Sequence, residues 1–383
     1  MADLRGKTAI VATAESDLGL VAPDTTIFDL MGQATHRALE DCGLSLGDID
    51  GLFVSTSQSR MVAMGVCEYL GLRPRYFDST QIGGSSFMAH ITHAQAAIHA
   101  GLCEVALITY GSTQRSVSRA AASARELNPY EDPYRPMMPP SAYALAASRH
   151  MYEYGTTREH LAEIAVAARQ WALMNPVAWE KEPLTVEDVL NARMISHPLT
   201  VRDCCLVTDG GGAIIMTTAE RARDLKRKPA YVLGTGEYIT HQNISSMPDF
   251  TATGAVESGQ LAYEKAGLKP SDVDVATLYD AFTICTLLFL EDLGFCAKGE
   301  GGAFVLNGGI APGGRFPVNT NGGGLSYCHP GMYGLLVLIE ATRQIHGTCG
   351  PRQVDGAEVA LAHGNGGVLS SQCTVLLGAE SVL

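Results

Sequence analysis

Tyrosine and histidine side chains can donate, hold or relay a proton, and this chain places them in three loops, two of them rich in glycine. In the richest, 319–334 (NTNGGGLSYCHPGMYG), Tyr327 and His329 sit directly before an apolar-periodic run that predicts a helix over 335–346. Glycine there lets backbone N–H groups approach a ligand, although an ordinary turn into a helix reads the same way. In the second loop, 278–283 (LYDAFT), Tyr279 and Asp280 follow a strand and precede a helix over 284–293. Ligands bind at the C-terminal ends of strands in parallel α/β sheets, so both are placed for function, against the plain alternative of a rim tyrosine. The third, 361–367 (LAHGNGG), puts His363 at another strand end. One histidine is weak; several such loops in one half of a chain are harder to set aside.

A fourth turn, 79–89 (STQIGGSSFMA), enters a predicted helix over 86–99 and offers Ser85 and Ser86 as nucleophiles at a helix N-terminus. Serine needs an adjacent base, and at a helix start it is far more often a cap. Ten cysteines without a C-x-x-C pair fit a reducing compartment and show no metal-ligand spacing.

The elements that must carry these loops come in two similar sets. Residues 39–54 (LEDCGLSLGDIDGLFV) align without a gap with 263–278 (YEKAGLKPSDVDVATL), sharing Glu, Gly-Leu and Asp-hydrophobe-Asp in register. Likewise CEVAL at 103–107 echoes AEVAL at 357–361, each followed by glycine. Two duplicated α/β halves follow, 1–229 and 230–383, with strands alternating with helices in mostly parallel sheets. The first half is interrupted at about 113–206 by an insertion too long for a plain connection. It contains a Pro/Tyr/Met-rich stretch at 129–140 that reads as an extended covering loop, and Arg193, His197 and Arg202 at its exit could meet a phosphate-bearing ligand or simply form a solvated face.

At 383 residues, 46% hydrophobic and 17% charged, the chain can bury one large core or two ordinary ones. A formal net charge of −13 argues against a nucleic-acid backbone or an anionic membrane as partner. No apolar run reaches membrane-spanning length and no signal-peptide pattern opens the chain, so a cytoplasmic protein is expected.

Taken together, the duplication, the turn at Gly83 to Ser86, VTDGGGA at 207–213, Tyr-Asp-Ala-Phe, and Asn-x-Asn-Gly-Gly followed by His-Pro resemble the thiolase superfamily, and within it the lipid-transfer-protein or sterol-carrier-type proteins. The resemblance covers nearly the whole chain and implies a five-layered αβαβα sandwich, a homodimer, and action on acyl-CoA thioesters, with coenzyme A as part of the substrate and no bound cofactor or metal. It implies substrate-binding roles for Gly83, Ser85, Ser86, Asn321, Gly323, Asn365 and Gly366. Three departures change the chemistry: Gly83 stands at the nucleophilic cysteine, His363 at the second catalytic cysteine, and Tyr279 at the asparagine of Asn-Glu-Ala-Phe. His329 is kept as the donor to the thioester oxygen.

Without a thiolate the acyl-enzyme route is lost, while a retained donor, worth about 3 kcal/mol, still stabilises a thioester enolate. That combination resembles the steroid side-chain aldolases, which cleave a β-hydroxyacyl-CoA to a short acyl-CoA and a ketone or aldehyde together with a small OB-fold, zinc-ribbon partner. The resemblance implies Tyr279 and Tyr327 as base and acid, His329 in the oxyanion hole and His363 in support; a sterol or other bulky side chain fits the substrate class. The alternatives are a thiolase-type acyltransferase acting on a β-ketoacyl-CoA through Ser85, Ser86 or Cys328, and a non-catalytic acyl-CoA-binding subunit.

Overall fold

The computed structural model describes residues 4–117 and 128–383; the first part of the insertion, 118–127, and the first three residues lie outside them. Nine strands form one mixed sheet: β1 (Thr8–Glu15), β2 (Gly51–Val54), β3 (Tyr76–Asp78), β4 (Val105–Ser112), β7 (Gly210–Thr218), β8 (Ala230–Ile239), β9 (Val275–Leu278), β10 (Val359–Gly366) and β11 (Ser371–Gly378). The remaining two, β5 (Met194–Ser196) and β6 (Leu199–Thr200), make a small hairpin in the insertion. The sheet order β3-β2-β4-β7-β1-β8-β11-β10-β9 reads as one arrangement and its mirror image, completed by a parallel bridge from Ala276 to Val318 outside β9. The repeated segments occupy matching places: β2 pairs with β4 and β9 with β10, both parallel. The two halves meet where β1 and β8 pair over Ala9 to Tyr231 and Ile10 to Ala230.

Parallel pairing is confined to strands joined through crossover helices, as that connection requires. The return strands β7 and β11 and the central β1 and β8 pair antiparallel.

Five layers result. The helix Ile27–Cys42 covers the first half's strands from outside, started by a Thr26–Asp29 capping box and stopped by left-handed Gly43. The helix Ala255–Ala266 covers β8 and β11 on the other side. Between the halves lie Ser86–His99 and Gly334–His346, which pack on each other and on strands of both. That position explains their composition: from Gly334 to Thr342 every residue of the second helix is buried, whereas an outer helix needs one apolar stripe. The loops entering these two middle helices are the glycine-rich ones, so the architecture brings 79–86 and 319–334 to one end of the sandwich.

In the Pro-rich stretch of the insertion, Tyr130 and Tyr134 are 81% and 85% exposed, while Glu131 is buried and accepts from the Ser245 N–H and Met138 packs against the core. In the following helix, Pro140–Tyr154, Tyr143 stacks on Phe282 with ring centroids 4.3 Å apart. No helix among the described residues is long and apolar enough to cross a membrane.

Candidate active site

His329 is held by its backbone and leaves one ring nitrogen, Nε2, without a partner. Its N–H donates to Thr208 Oγ1 (2.9 Å) and its carbonyl accepts from the Thr208 N–H (3.3 Å), tying it to the segment that leaves the insertion. The ring meets Tyr279 edge-on at 5.6 Å and lies nearly parallel to Tyr333 at 6.0 Å. Buried Nε2 has no partner. Burial lowers the imidazole's pKa to about 4, so the ring is neutral at pH 7 and can present Nε2–H to an oxygen.

Asp280 fixes the loop before it. Its carboxylate accepts from the N–H groups of Gly324 (2.6 Å) and Leu325 (3.3 Å), holding the wide helical turn Gly323–Tyr327. Burial raises this acid to about 7 against those hydrogen bonds. Asn321 Oδ1 accepts from the Gly323 N–H (2.8 Å) and the Tyr333 hydroxyl (3.0 Å), while its buried Nδ2 is unpartnered.

Tyr279 lies across the turn where a nucleophile was sought. Its hydroxyl donates to the Gly331 carbonyl (3.0 Å) and accepts from the Tyr333 N–H (3.1 Å). A Cβ on Gly84 would lie 2.0 Å from its Cε2. Gly83, at φ 74°, leaves no more room: a Cβ there would lie 2.7 Å from Gly366 Cα and 2.8 Å from Gly367 N. Ser85 Oγ donates to the Ile82 carbonyl (2.9 Å) and pairs with Ser371 Oγ (2.7 Å); Ser86 Oγ donates to the Gly83 carbonyl (2.7 Å). Both serines brace the turn, and neither meets a histidine.

Cys328 is buried, with Sγ 3.1 Å from Thr208 Oγ1, and burial pushes its thiol up to about 12. It is therefore protonated at neutral pH, which disfavours it as a nucleophile.

Two residues grouped with this site by motif lie elsewhere. Tyr327 turns its hydroxyl to Glu15 Oε1 (2.9 Å), a carboxylate also paired with Arg343, and makes no ring contact with Tyr279 or His329. His363 faces the outer layer: Nδ1 meets Thr374 Oγ1 and Nε2 meets Gln372 Oε1, both at 2.9 Å, and its ring packs on Phe289 at 4.5 Å. It is a satisfied core histidine. Asn365 shares that face and bonds Tyr143 Oη through Nδ2 (3.0 Å), whereas its carbonyl and Gly366 lie against the Gly83–Gly84 turn.

Sequence reasoning passed over Tyr333 and Tyr110. Tyr333 stands at the start of the following helix, four residues after His329, but His329 lies on the loop before it, so no helical spacing linked the two. Tyr110, at the end of β4, had no signal either. A cavity of about 530 Å³ in the insertion is lined by Arg169, Arg193 and Arg202 but also by Glu180, Glu182 and Asp188, so its charge is balanced. Among the described residues no group of His, Cys, Asp or Glu could hold a metal ion.

Comparison with known proteins finds relatives over nearly the whole chain. Residues 236–379 match the family described as thiolase C-terminal domain-like. The chain is 34% identical to the 17-hydroxy-3-oxo-4-pregnene-20-carboxyl-CoA lyase of Mycobacterium tuberculosis, over 96% of this chain and 98% of that one. It is also 34% identical to the steroid side-chain-cleaving aldolase of Thermomonospora curvata, over 91% and 92%. A solved structure titled Ltp2-ChsH2(DUF35) aldolase superposes with a TM-score of 0.88 at 31% identity, covering 99% of both chains.

Proposed function

The chain belongs to the thiolase superfamily, in its lipid-transfer-protein and sterol-carrier-type branch, and from that premise we propose that it is a retro-aldol lyase of β-hydroxyacyl-CoA thioesters. The observation that carries this reading is the neutral, unpartnered Nε2 of His329, flanked by the rings of Tyr279 and Tyr333. In the reaction the β-hydroxyl loses its proton, the Cα–Cβ bond breaks and its electron pair passes into the thioester enolate. Nε2–H stabilises the enolate oxygen, and Cα is then protonated. The products are a shortened acyl-CoA and a ketone or aldehyde.

Burial holds both phenols well above their ordinary pKa, so they enter protonated. We assign Tyr279 and Tyr333, whose rings flank the imidazole, to these proton transfers, each hydroxyl leaving its present acceptor, the Gly331 carbonyl or Asn321 Oδ1, to reach the substrate; Tyr327, whose hydroxyl is bound to Glu15 and whose ring does not flank the imidazole, is left as a structural residue. The relatives named for steroid substrates favour a bulky polycyclic substrate, and the neighbour's two-component title favours a DUF35-type partner, for which the family resemblance implies an OB-fold and zinc ribbon.

The test is a product assay on the complex with such a partner. A β-hydroxyacyl-CoA should be cleaved without free CoA, and no radiolabelled acyl group should remain on the protein. A covalent acyl-enzyme, or thiolysis that needs CoA, would instead make it an acyltransferase. Tyr279→Phe should lower kcat by about 10²-fold or more, in line with general acid–base contributions, while Tyr327→Phe should act mainly on stability. Full activity of Tyr279→Phe would fit the non-catalytic subunit.

A homodimer is part of the same proposal. β3 ends the sheet with unpaired backbone groups, and its Phe77 is 65% exposed, an edge suited to pairing with a second copy. Sedimentation should give twice the 40.6 kDa chain mass, and Phe77→Lys should shift it toward the monomer. A monomeric parent protein would rule the dimer out.

A further inference from the structure

Two phenols grip the backbone that follows His329, and one of them lies outside the candidate site. Tyr279, from the second half, holds the Gly331 carbonyl and the Tyr333 N–H. Tyr110, from the first half, repeats the pattern one residue earlier, donating to the Pro330 carbonyl and accepting from the Met332 N–H (3.0 Å). Carbonyls 330 and 331 and amides 332 and 333 are thus held from opposite halves of the molecule. The Tyr110 side chain is 1% exposed and its ring packs on Phe87 at 5.1 Å, so its hydroxyl is fixed by the core. Gly331 lies between the two grips at φ 94°, where a Cβ would come within 2.1 Å of Gln114 Oε1. A side chain there would have to adopt a left-handed backbone and displace the end of Gln114.

We propose that Tyr110 is a positioning residue that sets the path of residues 330–332 and, through it, the direction in which His329 presents Nε2 to the substrate. The proposal rests on the reading of His329 as donor to the thioester oxygen. Thr208 already ties the backbone of His329 on its other side, so Tyr110 supplies the constraint that follows it. Removing its hydroxyl leaves a buried N–H and carbonyl unpaired, and the segment moves to re-pair them. A displacement of about 1 Å at such a donor can cost about 10²-fold in rate.

A double-mutant cycle on the complex, read by retro-aldol cleavage of a β-hydroxyacyl-CoA, tests this. Tyr110→Phe should lower kcat by about 10- to 100-fold with KM changed less than about threefold, and should have no further effect in a His329→Ala background. An equal fall in both backgrounds would show that Tyr110 does not act through His329, and overturns the proposal. An inactive His329→Ala beside an unaffected Tyr110→Phe overturns it alone; an active His329→Ala overturns the reading of His329 and this proposal with it. Should Tyr110→Phe not fold, hydrogen exchange at the Met332 amide of the unaltered protein decides: slow exchange supports the grip, and exchange at the rate of an open loop refutes it.

Discussion

His329→Ala should reduce kcat for β-hydroxyacyl-CoA cleavage by about 10²- to 10³-fold, the usual loss when one oxyanion donor is removed. KM should change little, because the oxygen it serves gains most of its charge as the enolate forms. The fold should survive, since Nε2 makes no hydrogen bond whose loss would be felt; the variant gives up only ring packing on Tyr279 and Tyr333. Circular dichroism beside steady-state kinetics separates the two effects. The pH dependence follows from the same burial. With the folded pKa lowered from 6.5 to about 4, the ring remains neutral from pH 8 to about 5 and gains a proton only as pH falls toward 4. Its contribution to kcat should therefore be flat across neutrality. An inflection near 6.5 that disappears in His329→Ala would contradict the assignment, as would a variant retaining near-normal kcat.

Gly83→Cys restores in sequence the cysteine that thiolases use, and it should nevertheless fail to make a thiolase. The new residue would have to adopt φ 74°, a left-handed conformation costing about 1–2 kcal/mol for an L side chain. Its Cβ would also stand 2.7 Å from Gly366 Cα and 2.8 Å from Gly367 N, and both obstacles are backbone. Making room means moving the turn after β10, whose Asn365 carbonyl already lies against the next glycine, Gly84. We expect a loss of about 2–4 kcal/mol in stability from strain and overpacking together, seen as a lower unfolding midpoint, with no CoA-dependent thiolysis. A stable variant that cleaves a β-ketoacyl-CoA with free CoA would show that the missing thiolate alone separates this protein from its thiolase relatives.

Contrasting histidines show how far the site was legible. His329 and His363 were both read from glycine-flanked motifs, and by motif alone they rank alike. The difference is direction. On β10, successive side chains alternate faces, so Gly364 lies against Met88 of the middle layer while His363 turns to Phe289 in the outer one. His329 lies on a loop whose path is set by Thr208, Tyr110 and Tyr279, which stand 121, 222 and 54 residues from the groups they hold. No local pattern reports partners at that range. Tyr327 makes the same point. Its motif neighbours His329, yet its hydroxyl is claimed by Glu15, 312 residues away, and Tyr333 occupies the place beside the imidazole.

By itself, then, the sequence determined the class of chemistry and the architecture. Two gapless internal repeats specify duplicated halves, periodic apolar runs specify strands and buried helices, and, through the resemblance to thiolases, a glycine at the place of their cysteine excludes an acyl-enzyme at that position, because none of these needs a side-chain direction. Tertiary structure decided which proton-carrying side chains share a space, which hydroxyls are already spent on backbone groups, and which thiol is too deeply buried to ionise at neutral pH. Those properties depend on side-chain direction, on desolvation and on hydrogen bonds between the two halves, and all three arise only when the sandwich closes around the loops at its end.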